Sequence, residues 1–113
     1  MAQLTIYKSQ PRFLHLGVNF AAGDSVVQKA LIEEHLNKAK DWLRYAPGCW
    51  LIYTSKNSVH WANVLRSISE IKDNTTFLIC EIDLGKRSGW LHDSAWKWIN
   101  KTRAGATDQA ERP

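Results

Sequence analysis

Between residues 13 and 20 apolar and polar side chains alternate. Leu14, Leu16, Val18 and Phe20 fall on one side and Phe13, His15, Gly17 and Asn19 on the other, which predicts a strand. Gly23 ends that pattern, and Asp24 or Ser25 can cap a helix expected to run to about Lys40. Ile32, Leu36, Ala39 and Leu43 recur at steps of four, three and four and draw its apolar stripe. Residues 41–45 and 49–54 read as two strands joined by Pro47-Gly48, with proline at the second turn position and glycine supplying a positive φ at the third. Lys56, Asn57 and Ser58 form a loop ending in an N-cap. Trp61, Val64 or Leu65, Ile68 and Ile71 then repeat at helical spacing, Asp73-Asn74 closes that helix, and residues 75–82 are β-rich. Residues 89–100 predict a last helix with Leu91, Ala95, Trp98 and Ile99 on one face and Trp96 at its edge.

The order is strand, helix, hairpin, helix, strand and a further helix. Short, right-handed connections favour an α+β, ferredoxin-like βαββαβ sheet in spatial order 4-1-3-2. Both long helices then share one face, and the Trp-rich C-terminal helix is appended. The domain is expected over residues 13–102. Residues 1–12 form an N-terminal segment in which Leu4 and Ile6 can make a short strand before Pro11, and the small, polar residues 103–113 form a disordered tail.

This arrangement carries two consequences. Residues 50–53 and 77–80 are apolar on both sides, and such strands are normally covered on both. The C-terminal helix, a second copy, or both must cover the far face, so a homodimer is expected, with Trp98 in the core and Trp96 partly exposed. Cys49 and Cys80 fall on the third and fourth strands with the first between them, roughly 9–10 Å apart. That exceeds the ~7 Å limit of a disulfide, so both are expected as buried free thiols.

Composition narrows the class. A chain of 113 residues has room for one core, and 44% hydrophobic with 23% charged residues excludes disorder as the main state. Six tryptophans can anchor that core or an interface. The net charge of +4 is compatible with a nucleic-acid partner without requiring one. Residues 1–10 hold no apolar run of signal-peptide length, and no stretch approaches the ~20 apolar residues of a membrane span. The expectation is a cytoplasmic protein with no membrane partner.

If Leu14, Leu16 and Val18 face the helices, His15 and Asn19 project from the far side. Placing Leu78, Cys80 and Ile82 toward the helices sends Glu81 and Asp83 to that same far side. His15, Asn19, Glu81 and Asp83 can then converge, either as weak catalytic candidates or as a hydrogen-bonded polar cluster. His35, His60 and His92 have no metal-ligand spacing, so neither metal nor cofactor is expected. Lys86, Arg87, Lys97, Lys101 and Arg103 gather near the C-terminus with Trp90 and Trp96 among them. Phosphate neutralisation with base stacking on aromatics is how sequence-tolerant nucleic-acid grooves work; the alternative is a solvated basic face beside buried tryptophans.

The hairpin of residues 42–55, the helix through Ile68, residues 77–82 and above all the Gly89-Trp90…Ala95-Trp96-Lys97-Trp98-Ile99-Asn100 pattern resemble small bacterial and phage proteins labelled the SinR family. The resemblance covers roughly residues 13–102. Those proteins in turn resemble, in fold, small CRISPR-associated proteins that dimerise as a scaffold for DNA integration, and related toxin nucleases. The resemblance implies a ferredoxin-like dimer. Its nuclease-like members carry an aspartate near the end of the first strand, where this chain has Asn19, and a neutral amide is a poorer Mg²⁺ ligand than a carboxylate. The expected function is a non-catalytic dimeric binding module for DNA or RNA without sequence preference. The alternatives are a degenerate or metal-dependent nuclease-like hydrolase using the far-face cluster, and a small-ligand regulatory domain.

Overall fold

The computed structural model describes residues 10–20, 25–72, 75–101 and 103. The expected strand in residues 1–9, the cap at Asp24 and the stop at Asp73-Asn74 lie outside them. The elements are β1 (Arg12–Asn19), α1 (Ser25–Leu36), β2 (Asp41–Ala46), β3 (Cys49–Thr54), α2 (Ser58–Arg66), α3 (Ser69–Lys72), β4 (Thr76–Ile82) and α4 (Asp93–Asn100). They form an α+β fold around a four-stranded antiparallel sheet in the order β2-β3-β1-β4. No helix among the described residues is long and apolar enough to cross a membrane.

One face of the sheet holds the main core. Leu14 and Leu16 of β1 and Trp50 and Ile52 of β3 are fully buried against Ile32 and Leu36 of α1 and Trp61 and Leu65 of α2. Ile68, between α2 and α3, and Ile71 of α3 continue the buried stripe. The residues picked out by helical spacing are buried, but the single helix expected through Ile71 is two, α2 ending at Arg66 and α3 starting at Ser69. The cap of α2 is Asn57, whose Oδ1 accepts from the His60 amide at 2.9 Å. The indoles of this core are paired. Trp61 Nε1 donates to Thr54 Oγ1 at 3.0 Å, and Trp50 Nε1 donates to Glu33 Oε2 at 3.0 Å. Arg44 completes the second group at 3.1 Å from the same carboxylate oxygen. An indole N–H buried without such a partner costs more than its hydrogen bond gains.

Three local expectations change. Helix α1 ends at Leu36, and its buried stripe is Gln28, Ile32 and Leu36; Leu43 belongs to β2. The periodicity runs on because a strand residue happens to fall in helical phase. The turn at Pro47-Gly48 does not use a positive φ. Glycine is required there because a Cβ would stand 2.5 Å from the carbonyl oxygen of Val18, whose amide donates to Gly48 O at 2.8 Å. Helix α4 starts at Asp93, and Trp90 before it is 98% exposed.

Helix α4 covers part of the opposite face. Ala95 and Ile99 are its buried positions, while Trp96 and Trp98 are both half-buried. Trp98 meets the ring of Phe13 edge-on, with centroids 6.0 Å apart. The expected core role of Trp98 thus passes to its smaller neighbours, while its indole packs against Phe13 and Arg103. Only Trp50 and Trp61 of the tryptophans are fully buried.

Candidate functional site

The far face is where side chains with chemistry meet. Phe13, His15, Gly17 and Asn19 reach it from β1, and Cys49, Leu51 and Tyr53 from β3. The β4 contribution differs from the expected one. Leu14 pairs with Glu81, Leu16 with Ile79 and Val18 with Phe77, so Phe77, Ile79 and Glu81 share the helix-covered side. Leu78, Cys80 and Ile82 lie on the far side, with Cys80 opposite His15. Both parities of this strand are apolar, so its sequence does not set its facing, and a one-residue change of register turns every side chain over.

The expected convergence of His15, Asn19, Glu81 and Asp83 is therefore not formed. Glu81 lies on the opposite side of the sheet from His15 and pairs with Arg12 at 3.5 Å. Asp83 turns back to accept from the Gly85 amide at 2.8 Å. Asn19 sits four residues beyond His15, roughly 13 Å along an extended strand, and is exposed. No group of three or more His, Cys, Asp or Glu that could hold a metal occurs among the described residues. The hydrolase alternative loses the cluster on which it stood. Cys49 and Cys80 are both free, but Cys49 is half-buried and Cys80, on the edge strand, is exposed rather than buried.

His15 has a different partner. Its Nε2 shares a hydrogen bond of 2.5 Å with the Tyr45 hydroxyl. Tyr45 occupies a bulge in β2, where the register to β3 shifts between Arg44 and Ala46, and its ring reaches the far face. Burial pushes the His15 pKa below its ordinary 6.5, which holds the imidazole neutral at pH 7. Burial, and then a hydrogen bond to Cys49, raise that of Tyr45 and hold the phenol protonated. This pair lines a pocket of about 220 Å³ beneath α4, walled by Leu51, Ile82, Leu84, Leu91, Trp96 and Ile99, with Arg87 and Ser88 among its lining residues.

A wider groove of about 470 Å³ adjoins this pocket at the end of the sheet. Arg12, Arg87, Lys101 and Arg103 line it with Phe13 and Tyr53, against the acids Glu81 and Asp83. Arg103 is the most embedded of the cations. Its guanidinium carbon lies 4.3 Å from the Trp98 ring centre, 5.0 Å from that of Tyr53 and 5.1 Å from that of Phe13. Nη2 donates to Trp98 O at 2.9 Å and stands 3.7 Å from Asp41 Oδ2. Burial lowers the Arg103 pKa, and Asp41 opposes that shift. Planar, weakly hydrated guanidinium suits such an aromatic enclosure better than an ammonium group.

The five expected basic residues thus separate. Arg103, placed by sequence at the head of a frayed tail, instead fastens α4 to β1 and β3. Lys101 pairs with Asp41 at 3.2 Å yet keeps more than half its side chain exposed, and Lys97 pairs with Asp93 at 3.3 Å on the outer side of α4. Arg87 donates to Leu84 O at 2.8 Å and to Asn100 Oδ1, and it lines both cavities. Lys86 is exposed in the loop after β4. Sequence reasoning does not find Arg12, Phe13, Tyr45 and Tyr53 as site residues. The alternation of β1 puts Phe13 on the correct face, but nothing local distinguishes Tyr45 in its bulge from an ordinary strand residue. No family model, curated protein or solved structure matches the chain.

Proposed function

We propose that this chain is a non-catalytic binding domain of ferredoxin-like type that works as a homodimer and holds single-stranded DNA or RNA in the groove at the end of its sheet. The groove carries the reading. Four cations and two aromatic rings line one open channel, the combination that holds phosphates and bases without selecting sequence. Two of those cations, Lys101 and Arg87, retain donors for an incoming phosphate after their internal contacts. The strand order, read from the other edge as β4-β1-β3-β2, together with its antiparallel pairing, supports the ferredoxin-like description. So does the placement of α1 and α2 against one face. The resemblance to the SinR-labelled proteins rests on the same elements and favours a ferredoxin-like dimer.

The dimer is supported by β4. This strand is at the sheet edge, and on its far side Leu78 is 71% exposed and Cys80 is exposed. A bare apolar edge of this kind is normally paired or covered.

One binding experiment tests the proposal. Fluorescently labelled single strands of different composition are titrated at increasing salt while solution mass is followed. Expected are a dimer mass and sequence-indifferent binding that falls steeply with salt. Arg87→Ala with Lys101→Ala should weaken every strand by a similar factor and reduce the salt slope by about 0.7 for each phosphate no longer neutralised. No binding at low salt, or binding indifferent to salt, would overturn the nucleic-acid reading. A monodisperse monomer at high micromolar concentration would overturn the dimer.

A further inference from the structure

Building on that reading of the groove, we infer that the pocket beneath α4 is a nucleobase site, receiving one base turned out of a strand whose phosphates lie along the groove. Continuity is the first observation. Ile82, Leu84, Arg87 and Ile99 line both cavities, so a ligand can occupy the two at once. Size is the second. At about 220 Å³ the pocket is smaller than the roughly 300–1,000 Å³ of sites for drug-sized ligands, which suits a single ring system.

Chemistry is the third. A base has apolar faces and an edge of alternating donors and acceptors. The pocket divides in the same way, with Leu51, Leu91, Ile99 and Trp96 as walls and the His15–Tyr45 pair as its hydrogen-bonding group. A neutral imidazole carries one donor and one acceptor nitrogen, and a phenol hydroxyl can serve as both. The pair can therefore read a base edge by turning over its own hydrogen bond. Arg87 joins the two sites. Two of its five N–H groups are used on Leu84 O and Asn100 Oδ1, leaving three for the phosphate of the inserted nucleotide.

The test uses the whole chain. Its His15 ring-proton NMR signal is assigned by its loss in His15→Gln, and adenosine, guanosine, cytidine and uridine are titrated separately to millimolar concentration. In parallel, an oligonucleotide and an abasic strand of equal length are compared in binding. The expected results are a saturable shift of the His15 signal by at least one nucleoside, and about tenfold tighter binding of the base-bearing strand. Tyr45→Phe, which keeps the ring and removes the hydroxyl, should erase most of the preference among nucleosides and leave the salt slope unchanged. If no nucleoside moves the His15 signal and the two strands bind equally, the base site is refuted while the groove stands. If nucleosides move it and neither strand binds, the base pocket stands and the strand-binding groove is refuted.

Discussion

The two faces of the sheet arise from the same strands and differ in what covers them. On the side of α1 and α2, the core residues of β1 and β3 are wholly buried, and the buried indoles find partners in Thr54 and Glu33. On the side of α4, most contacts are half-buried, an arginine sits among three rings, and a histidine and a tyrosine face a cavity. The first face resembles a core filled to close packing; the second leaves space and polar groups that such packing would eliminate. Helices α1, α2 and α3 together supply enough apolar surface to seal one face. An eight-residue helix does not seal the other, and β4 remains bare beyond it.

Substitutions on the two faces should therefore differ in kind. Trp61→Ala, on the sealed side, should cost about 3–5 kcal/mol in chemical denaturation, enough to unfold a marginal domain. Trp90→Ala, at an exposed position, should stay within about 0.5 kcal/mol. Similar losses for these two tryptophans would break the distinction between buried and exposed indoles.

A smaller effect is expected where the α4 side is pinned. Arg103→Ala removes the contacts to Phe13, Tyr53 and Trp98 and the pairing with Asp41, and should cost about 2 kcal/mol. Arg103→Lys keeps the charge but not the planar stack and should recover less than half of that loss. Full recovery by lysine would show that charge alone holds α4.

The smallest effect is the pH dependence set by His15. Its folded pKa lies below 6.5, so the unfolded chain takes up the proton first. The stability it contributes is complete above about pH 6.5 and is lost as pH falls from there toward the lowered folded value. Tyr45, held protonated, shares its hydrogen bond, and Cys80 lies opposite it on β4. His15→Gln should flatten that part of the stability curve, read as denaturation midpoints across the window. An unchanged slope would mean that the imidazole is wet.

How far the sequence can be read follows from where its periodicities are unambiguous. Leu14, Leu16 and Val18 alternate with polar neighbours, so the facing of β1, and with it that of His15, is legible in the chain. The buried positions of residues 61–71 repeat with helical spacing and are legible for the same reason, though the break between α2 and α3 is not. Strand β4 carries apolar side chains at both parities. Its facing comes only from pairing with β1, and the expected His15–Glu81 site fails with it.

The strands, their order and the face that α1 and α2 bury follow from local propensity and from spacing along one chain, and are legible in it. Tertiary structure decided the register of β4, the bulge that brings Tyr45 to His15, and the seat of Arg103 among three rings. Each of those depends on groups from different elements meeting at a few ångströms. The bulged Tyr45 is thirty residues from His15 in the chain, and no local pattern encodes that distance.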